Sequence, residues 1–398
     1  MGELKKLSVE DLDVKGKRVF VRVDFNVPQD DKQNITDDTR IKEAIPTIKY
    51  LVDKGAKVIL SSHLGRPKGK VDPKFSISPA ADRLGELMGI KIQKAPEVIG
   101  DVVTKMAEAL QPGQVMMLEN VRFLPGEEKN DPELAKAFAS LADFFVMDAF
   151  GTAHRAHAST EGVAHYVSKA AAGYLLMKEI TYLSNALLEN PKRPFTAILG
   201  GAKVAGKLEV INNLLEKVDN ILIGGGMAYT FLRAMKMEVG KSLVDENLIK
   251  DAKEVIKKAV DRDVKWLFPF DHIVTDVVGP EGDVTIVTRE GFGNKIGVDI
   301  GPSTIEMFSN VIRKSGTVFW NGPMGIFEIP QFSQGTNAIA LTIAHSGAIS
   351  VVGGGDSVSA INKLGLASRF THISTGGGAS MEMVEGKVLP GIAALTDK

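Results

Sequence analysis

The chain has 398 residues, of which 44% are hydrophobic and 24% charged, so it can bury a core and is neither disordered nor fibrous. Its 48 Lys and Arg residues nearly balance 49 Asp and Glu residues, which argues against a nucleic acid or an anionic membrane as a partner. The sequence contains no cysteine, which excludes disulfides, thiol catalysis and thiolate metal sites. The charged N-terminus lacks the apolar run of a signal peptide, and we expect a cytoplasmic protein.

Short apolar segments alternate with longer amphipathic ones along the whole chain. In the first half this pattern predicts buried strands at 18–27, 56–64, 115–121 and 144–150 and helices at 38–54, 79–88, 102–110 and 131–141. In the second half it predicts strands at 195–199, 220–223, 264–268, 316–320, 348–352 and 371–374, most of them followed by helices.

This alternation predicts an α/β fold of two Rossmann-like lobes, each a mainly parallel sheet with helices on both faces. A single TIM barrel is the competing fold, but it does not explain the proline-containing break at 190–194. The segment before the break has apolar residues on one face, and we interpret it as an interdomain helix. The predicted boundaries are 1–172 for the N-terminal lobe, 173–190 for this helix and 191–388 for the C-terminal lobe.

Charged side chains follow the predicted strands of the first half. Ligands of open α/β sheets bind at the carboxyl ends of the strands, and the planar fork of arginine suits phosphate and carboxylate. The arginines could instead be solvated or paired with Asp24 and Asp148, but their position at successive strand ends favours a polyanion pocket. The residues concerned are Asp24, Asn26, Arg40, His63, Arg66, Arg122 and Arg155.

Glycine-rich loops follow the predicted strands of the second half. Such loops let backbone N–H groups approach an anion at the start of a helix, and their repetition predicts a site for nucleotide phosphates. Tight turns also need glycine, so one such loop alone is a weak signal. Asp356 follows three glycines, where its carboxylate could hold Mg²⁺ near the phosphates or only cap a helix.

Residues 201–208 nearly match the P-loop pattern, but Leu208 stands where that pattern has Ser or Thr, and we reject a Walker A site. The apolar spacing of 203–218 predicts a helix, which would place Lys203 and Lys207 on one face of its N-terminus; the alternative is two solvated lysines. His154 and His157 have no further metal ligands nearby in sequence, so anion contact or packing is preferred over a metal site.

An anion pocket in one lobe and a nucleotide site in the other suit phosphoryl transfer across a cleft. The motifs that carry these residues resemble phosphoglycerate kinases, in order and over essentially the whole chain. They are RVDFNVP with Asp24 and Asn26, SHLGRP with His63 and Arg66, LENVRF with Arg122, DAFGTAHRAH with Arg155, GGAKV with Lys203, WNGPMG with Asn321, GGGD with Asp356, and STGGGA with Gly376 and Gly377.

The resemblance implies magnesium-dependent, reversible phosphoryl transfer from 1,3-bisphosphoglycerate to ADP, giving 3-phosphoglycerate and ATP in glycolysis, by a monomer whose lobes close by hinge bending. It implies that 3-phosphoglycerate is bound by Asp24, Asn26, Arg40, His63, Arg66, Arg122 and Arg155. It assigns the nucleotide to Gly201, Lys207, Gly297, Asn321, Glu328, Gly353, Gly354, Gly355 and Asp356, with the magnesium ion on Asp356. Catalytic roles fall to Arg40, Lys203, Gly376 and Gly377, and residues 389–398 are expected to return to the N-terminal lobe.

Ala205 and Gly206 depart from the resemblance, because the family commonly has a polar pair such as Ser-Asp there. Since Lys203 and Lys207 are retained, activity is not in doubt, but the glycine should loosen the first helical turn. Two rival functions are a non-catalytic two-lobed solute-binding protein and an NAD-dependent dehydrogenase. The first needs no glycine loops, and the second needs a dinucleotide fingerprint that the sequence lacks.

Overall fold

The computed structural model describes residues 5–288 and 290–398, and it divides into two compact units. Of the described residues, 5–181 and 388–398 belong to the first unit, and 182–288 and 290–387 belong to the second. None of the described helices combines the length and apolar character that crossing a bilayer requires.

The first unit is built on a six-stranded sheet in which every pair is parallel. Its strands are β1 (Arg18–Val23), β2 (Lys57–Ser61), β3 (Ile92–Lys94), β4 (Val115–Met117), β5 (Phe144–Asp148) and β6 (Ala170–Ala172), in the spatial order β3-β4-β2-β1-β5-β6. The prediction missed β3 and β6, because three-residue edge strands carry too little pattern to be recognised. The central strand β1 places Val19 opposite Val58 on one side and Phe144 on the other.

Helices of the first unit follow the predicted positions closely. They are α1 (Thr39–Asp53), α2 (Ser78–Met88), α3 (Asp101–Ala109), α4 (Pro132–Ser140) and α5 (Tyr174–Glu179), and α5 continues as a π-helix over Ile180–Glu189. In α1, Ile41, Ala44, Ile48 and Leu51 form one buried face. The start of α4 is set by Asp131, whose side chain accepts hydrogen bonds from the backbone N–H groups of Glu133 and Leu134.

The second unit contains a parallel six-stranded sheet and a separate antiparallel sheet of three strands. Its strands are β7 (Phe195–Leu199), β8 (Asn220–Ile223), β9 (Lys265–Leu267), β10 (Asp271–Thr275), β11 (Thr285–Thr288), β12 (Ile296–Ile300), β13 (Thr317–Asn321), β14 (Ile349–Gly353) and β15 (His372–Ile373). The parallel sheet has the order β15-β14-β13-β7-β8-β9, and the antiparallel sheet has the order β11-β10-β12. The prediction missed the antiparallel sheet.

The helices of the second unit are α6 (Leu208–Leu214), α7 (Met227–Ala234), α8 (Ile249–Asp261), α9 (Pro302–Ile312), α10 (Gln334–His345), α11 (Gly355–Lys363) and α12 (Gly378–Val384). The last helix of the chain, α13 (Pro390–Ala393), belongs to the first unit. Short 3-10 helices lie at Val9–Asp11, Pro73–Phe75, Val121–Phe123, Phe150–Thr152, Gly162–His165, Glu246–Leu248, Pro330–Phe332 and Ala367–Arg369.

One helix prediction is wrong at both ends, because the helix predicted over 203–218 covers only Leu208–Leu214. Because α6 begins only at Leu208, Lys203 and Lys207 do not share a helix face as expected. Residues 205–207 form a turn instead, with Lys207 at the N-cap position. A glycine costs a helix about 1 kcal/mol relative to alanine, so Gly206 disfavours an earlier start.

The C-terminal segment packs within the first unit. The backbone N–H of Leu7 donates to the carbonyl of Thr396, and the N–H of Thr396 donates to the carbonyl of Ala170. In the same segment, the N–H of Gly391 donates to the carbonyl of Ala153 at 2.9 Å. The segment is therefore hydrogen-bonded both to the N-terminus and to the loop after β5.

Candidate active site

Polar side chains meet at the carboxyl ends of β1 and β2 in the first unit. Asp24 follows β1 directly, and its Oδ2 accepts a hydrogen bond from Nη1 of Arg40 at 2.8 Å. The side-chain oxygen of Asn26 accepts a hydrogen bond from the backbone N–H of Gly65 at 2.9 Å. These bonds tie the loop after β1 to the start of α1 and to the loop after β2.

His63 lies buried at the centre of this cluster. Its Nδ1 is 3.2 Å from Nη2 of Arg22 and 3.9 Å from Oδ1 of Asp24. Burial lowers the pKa of His63 well below its ordinary value, and the positive charges of Arg22, Arg122, Arg40 and Arg155 lower it further. Burial and these positive charges therefore both favour the neutral form of the ring, and three of the arginines expected to bind an anion are close enough to act on it.

Arg122 is held against the same loop. It is 5% exposed, its Nη1 donates to the carbonyl of Gly65 at 2.8 Å, and its Nε lies 3.3 Å from Oε1 of Glu128. Burial lowers the pKa of Arg122, and the charges of Arg155 and Arg66 act in the same direction. Arg66 is exposed and lies in the loop after β2, the same loop that carries His63.

The sequence prediction missed a buried network beneath this cluster. Arg22 in β1 is 1% exposed, and its Nε donates to Oγ of Ser159 at 2.8 Å. Ser159 in turn donates to Glu127 from Oγ at 2.5 Å and from its backbone N–H at 3.0 Å. Burial raises the pKa of Glu127, while the charge of Arg22 opposes that rise. A lone arginine inside an apolar strand was the available signal, because such a charge needs a buried partner.

A cavity of about 390 Å³ lies in the second unit. Of the predicted nucleotide residues, Gly201, Gly297, Glu328 and Asp356 line it. Backbone segments approach closely here, since a Cβ atom on Gly225 would lie 2.5 Å from the backbone nitrogen of Gly201. Gly201 has a φ of 99°, a conformation that side-chain-bearing residues rarely adopt.

Two further predicted loops begin helices of this unit. Asn321 ends β13, and its buried Nδ2 has no hydrogen-bond partner among the described residues. A Cβ atom on Gly354 would lie 2.9 Å from that Nδ2, so the amide packs against the loop before α11, the helix that carries Asp356 in its first turn. Gly377 is the N-cap of α12 with a φ of 49°, and the preceding Gly376 accepts a hydrogen bond from the N–H of Ala379.

The two predicted lysines differ in their environments. Burial lowers the pKa of Lys207 to about 8, and the carboxylates of Asp356 and Glu385 oppose that shift. Lys203 is exposed. Among the residues described, the cavity lining does not include these lysines, Asn321, Gly353, Gly354, Gly355, Gly376 or Gly377.

The cavity also contains two buried residues that the sequence prediction missed. Asp299 is 1% exposed and accepts hydrogen bonds from the N–H groups of Gly335 at 2.7 Å and Ile300 at 2.9 Å. Burial raises the pKa of Asp299 to about 7. The ring of Tyr229 leaves no room for a side chain at Gly297, because a Cβ there would lie 2.0 Å from the tyrosine oxygen. No local pattern in the sequence distinguishes these two residues.

The residues of the second unit fit a magnesium ion bound together with a nucleotide better than a metal ion that has protein ligands only. In the described part of the chain, no three His, Cys, Asp or Glu residues are grouped to hold a metal ion. Magnesium bound with a nucleotide uses one or two carboxylates, and phosphates and water complete its shell. Asp356 and Glu328 offer such carboxylates at the cavity.

The chain is similar to known proteins of one family. The family model described as phosphoglycerate kinase matches residues 9–387. Phosphoglycerate kinase 1, chloroplastic, of Arabidopsis thaliana is 54% identical over 401 residues, covering 99% of this chain and 83% of the relative. The solved structure of phosphoglycerate kinase from Coxiella burnetii has a TM-score of 0.91 at 42% identity, and that from Pyrococcus horikoshii OT3 has 0.82 at 32%; each comparison covers 98% of both chains. With this identity along nearly its whole length, the chain belongs to the phosphoglycerate kinase family.

Proposed function

We propose that the cluster around His63 binds 3-phosphoglycerate or 1,3-bisphosphoglycerate and that the cavity of the second unit binds ADP or ATP with Mg²⁺. Family membership confirms the α/β fold and a phosphotransferase that acts on a carboxyl group in glycolysis. The position of Arg40, Arg122 and Arg155 around buried His63 carries the assignment of the acid.

Charge supports the first half of this proposal. Around His63 the cations of Arg22, Arg40, Arg122 and Arg155 outnumber the nearby carboxylates, so a polyanion is attracted. Asp24 holds the guanidinium of Arg40 through one hydrogen bond. We assign binding of the acid to Asp24, Asn26, Arg40, His63, Arg66, Arg122 and Arg155.

Shape supports the second half. A cavity of about 390 Å³ suits part of a nucleotide, and its lining combines apolar Leu243 and Met324 with glycine backbone. A pKa near 8 leaves Lys207 mostly charged at neutral pH, as a phosphate contact requires. We assign nucleotide binding to Gly201, Lys207, Gly297, Asn321, Glu328, Gly353, Gly354, Gly355 and Asp356.

When bound at Asp356, Mg²⁺ would neutralise charge on the nucleotide phosphates. Arg40, Lys203, Gly376 and Gly377 would contact the phosphoryl group in transit, where preorganised donors stabilise its charge. The corresponding lobes are residues 1–172 with 389–398 for the acid and 191–388 for the nucleotide, joined by 173–190. A monomer in the cytoplasm stays a prediction, and the plant relative is named as chloroplastic.

A coupled assay tests the proposed function directly. The purified chain should form ATP from ADP and 1,3-bisphosphoglycerate when Mg²⁺ is present, and this activity should be lost on chelation. The double variant Arg122→Ala, Lys207→Ala serves as the inactive control. Binding of the acid without ATP formation would indicate a solute-binding protein, and reduction of NAD with a hydroxy acid would indicate a dehydrogenase.

A further inference from the structure

All three side-chain nitrogens of Arg22 contact other groups inside the protein. Nε donates to Oγ of Ser159 at 2.8 Å, and Nη1 donates to the carbonyl of Val23. Nη2 lies 3.2 Å from Nδ1 of His63. Because the residue is 1% exposed, this guanidinium lies below the proposed acid site, and we assign it no contact with the substrate.

The contact between Arg22 and His63 is compatible with only one position of the ring proton of His63. A guanidinium carries donors and no acceptor, so Nδ1 of His63 must accept, and the ring proton must lie on Nε2. We infer that Arg22 is a positioning residue that holds His63 as the neutral Nε2–H tautomer. The inference rests on the proposed function, in which His63 then offers the acid a hydrogen-bond donor and not a positive charge.

The surroundings of His63 support a neutral ring. The charged groups that face it are Arg22 and Asp24 from β1 and the loop after it, Arg40 from α1, Arg122 from the 3-10 helix Val121–Phe123, and Arg155 from the loop after β5. The carboxylate of Asp24 lies 3.9 Å from Nδ1 of the ring, and the buried carboxylate of Glu127 acts on Arg22. Burial lowers the pKa of the ring most, and the positive charges of these arginines lower it further.

Glu127 explains how a charged arginine is kept in this place. Its carboxylate is fully buried and receives both donors of Ser159, and its charge stabilises the charged form of Arg22. Removing one charge of a buried pair leaves the other uncompensated, which is strongly destabilising. Arg22, Ser159 and Glu127 therefore act as one buried unit that orients the guanidinium toward His63.

The tautomer can be read directly in the wild-type chain. Nitrogen-15 spectra of histidine-labelled protein, with His63 assigned by the loss of its signals in His63→Gln, separate the three protonation states of the ring. We expect an unprotonated Nδ1 and a protonated Nε2 for His63 at neutral pH without ligand. A proton on Nδ1, or on both nitrogens, overturns the inference.

The role of Arg22 is tested with a variant that removes both buried charges, Arg22→Met with Glu127→Gln. We expect His63 to populate both tautomers, and the KM for 3-phosphoglycerate to rise about tenfold while the KM for ATP stays unchanged. Arg18→Met on the same strand is the control and should change neither. An unchanged tautomer in the folded double variant overturns the role of Arg22.

If the double variant does not fold, Ser159→Ala is used in its place. This change removes the hydrogen bond that Nε of Arg22 donates to Ser159 and keeps the charges of Arg22 and Glu127. A shifted tautomer ratio supports the inference, and an unshifted ratio opposes it. The proposed function is tested independently of the tautomer. It is wrong if the wild-type chain forms no ATP in the coupled assay, whichever tautomer His63 adopts.

Discussion

Nη1 of Arg40 donates a hydrogen bond to Oδ2 of Asp24 at 2.8 Å, joining the start of α1 to the loop after β1. The side chain of Asp24 is 10% exposed and that of Arg40 is 41% exposed. A nearly buried carboxylate thus holds a solvent-facing guanidinium at a defined place on the sheet edge, which would preorganise Arg40 for the contact with the phosphoryl group that we propose.

We predict that Arg40→Ala lowers kcat on the order of 10² or more, because a contact made mainly in the transition state affects kcat and kcat/KM together. Steady-state kinetics in the ATP-forming direction measure this change. Arg83→Ala is the matched control, since Arg83 is similarly exposed at 38% and also pairs with an aspartate, Asp38. A near-normal kcat with only a raised KM for 3-phosphoglycerate would refute this role of Arg40.

We predict that Lys207→Ala weakens ATP and ADP binding and leaves 3-phosphoglycerate binding unchanged. Asp356→Ala should blunt the magnesium dependence of nucleotide binding, because its carboxylate is the proposed magnesium ligand. Titration calorimetry of each variant with each ligand measures both effects. Lys363→Ala is the control, because Lys363 lies in the same helix α11 as Asp356. Loss of the acid with the nucleotide retained would reverse the assignment of the two sites.

Asp299 should make the stability of the second unit depend on pH. Its pKa is about 7 in the folded protein, whereas an unfolded aspartate titrates near pH 4. Between these values the folded state holds a proton that the unfolded chain has lost, so the free energy of unfolding should fall as pH rises from about 4 to 7.

Urea unfolding across that pH range measures the effect by tryptophan fluorescence, because Trp266 and Trp320 both lie in the second unit. In Asp299→Asn the fall in the free energy of unfolding between about pH 4 and 7 should be smaller than in the wild-type chain, by a few kcal/mol at most. An equally steep decline in this variant would show that other groups cause it.

Gly206→Ala should stabilise the second unit by about 0.4–1 kcal/mol, because alanine restricts the unfolded chain and favours the helix. The site has room, since no heavy atom lies within 4 Å of a Cβ built there. Gly201→Ala is the matched control, because its surroundings are equally open but its φ of 99° strains any side chain. Urea midpoints should rise for the first variant and fall for the second, and equal shifts would contradict this explanation.

We predict that binding of both ligands compacts the protein by hinge closure. Transfer needs the reacting atoms about 3–3.5 Å apart and water excluded, whereas each ligand is proposed to bind mainly one unit. Small-angle scattering should therefore give the smallest radius of gyration for the complex with 3-phosphoglycerate and a non-reacting ATP analogue, with the two binary complexes in between. Equal radii in all states would mean that no closure occurs.

The strands that the sequence predicted best are those whose burial leaves a continuous apolar run. Phe195–Leu199 and Asn220–Ile223 have the predicted bounds, because strands covered on both faces consist of such runs. Ala170–Ala172 was missed, since alanine favours helices and only pairing with Phe145 and its neighbours makes this segment a strand. Thr285–Thr288 of the antiparallel sheet was missed for a similar reason, as its identity depends on the strand beside it.

The sequence by itself determined the chemistry of this protein: arginines after one set of strands, glycines after the other, and motifs specific enough to indicate the family. Only the tertiary structure decided which side chains act together. Arg22 in β1, Glu127 and Ser159 are far apart in the chain, and their pairing exists only after the sheet assembles. Local pattern reports on secondary structure, whereas burial, protonation and hydrogen-bond partners depend on contacts between distant segments, which no local pattern records.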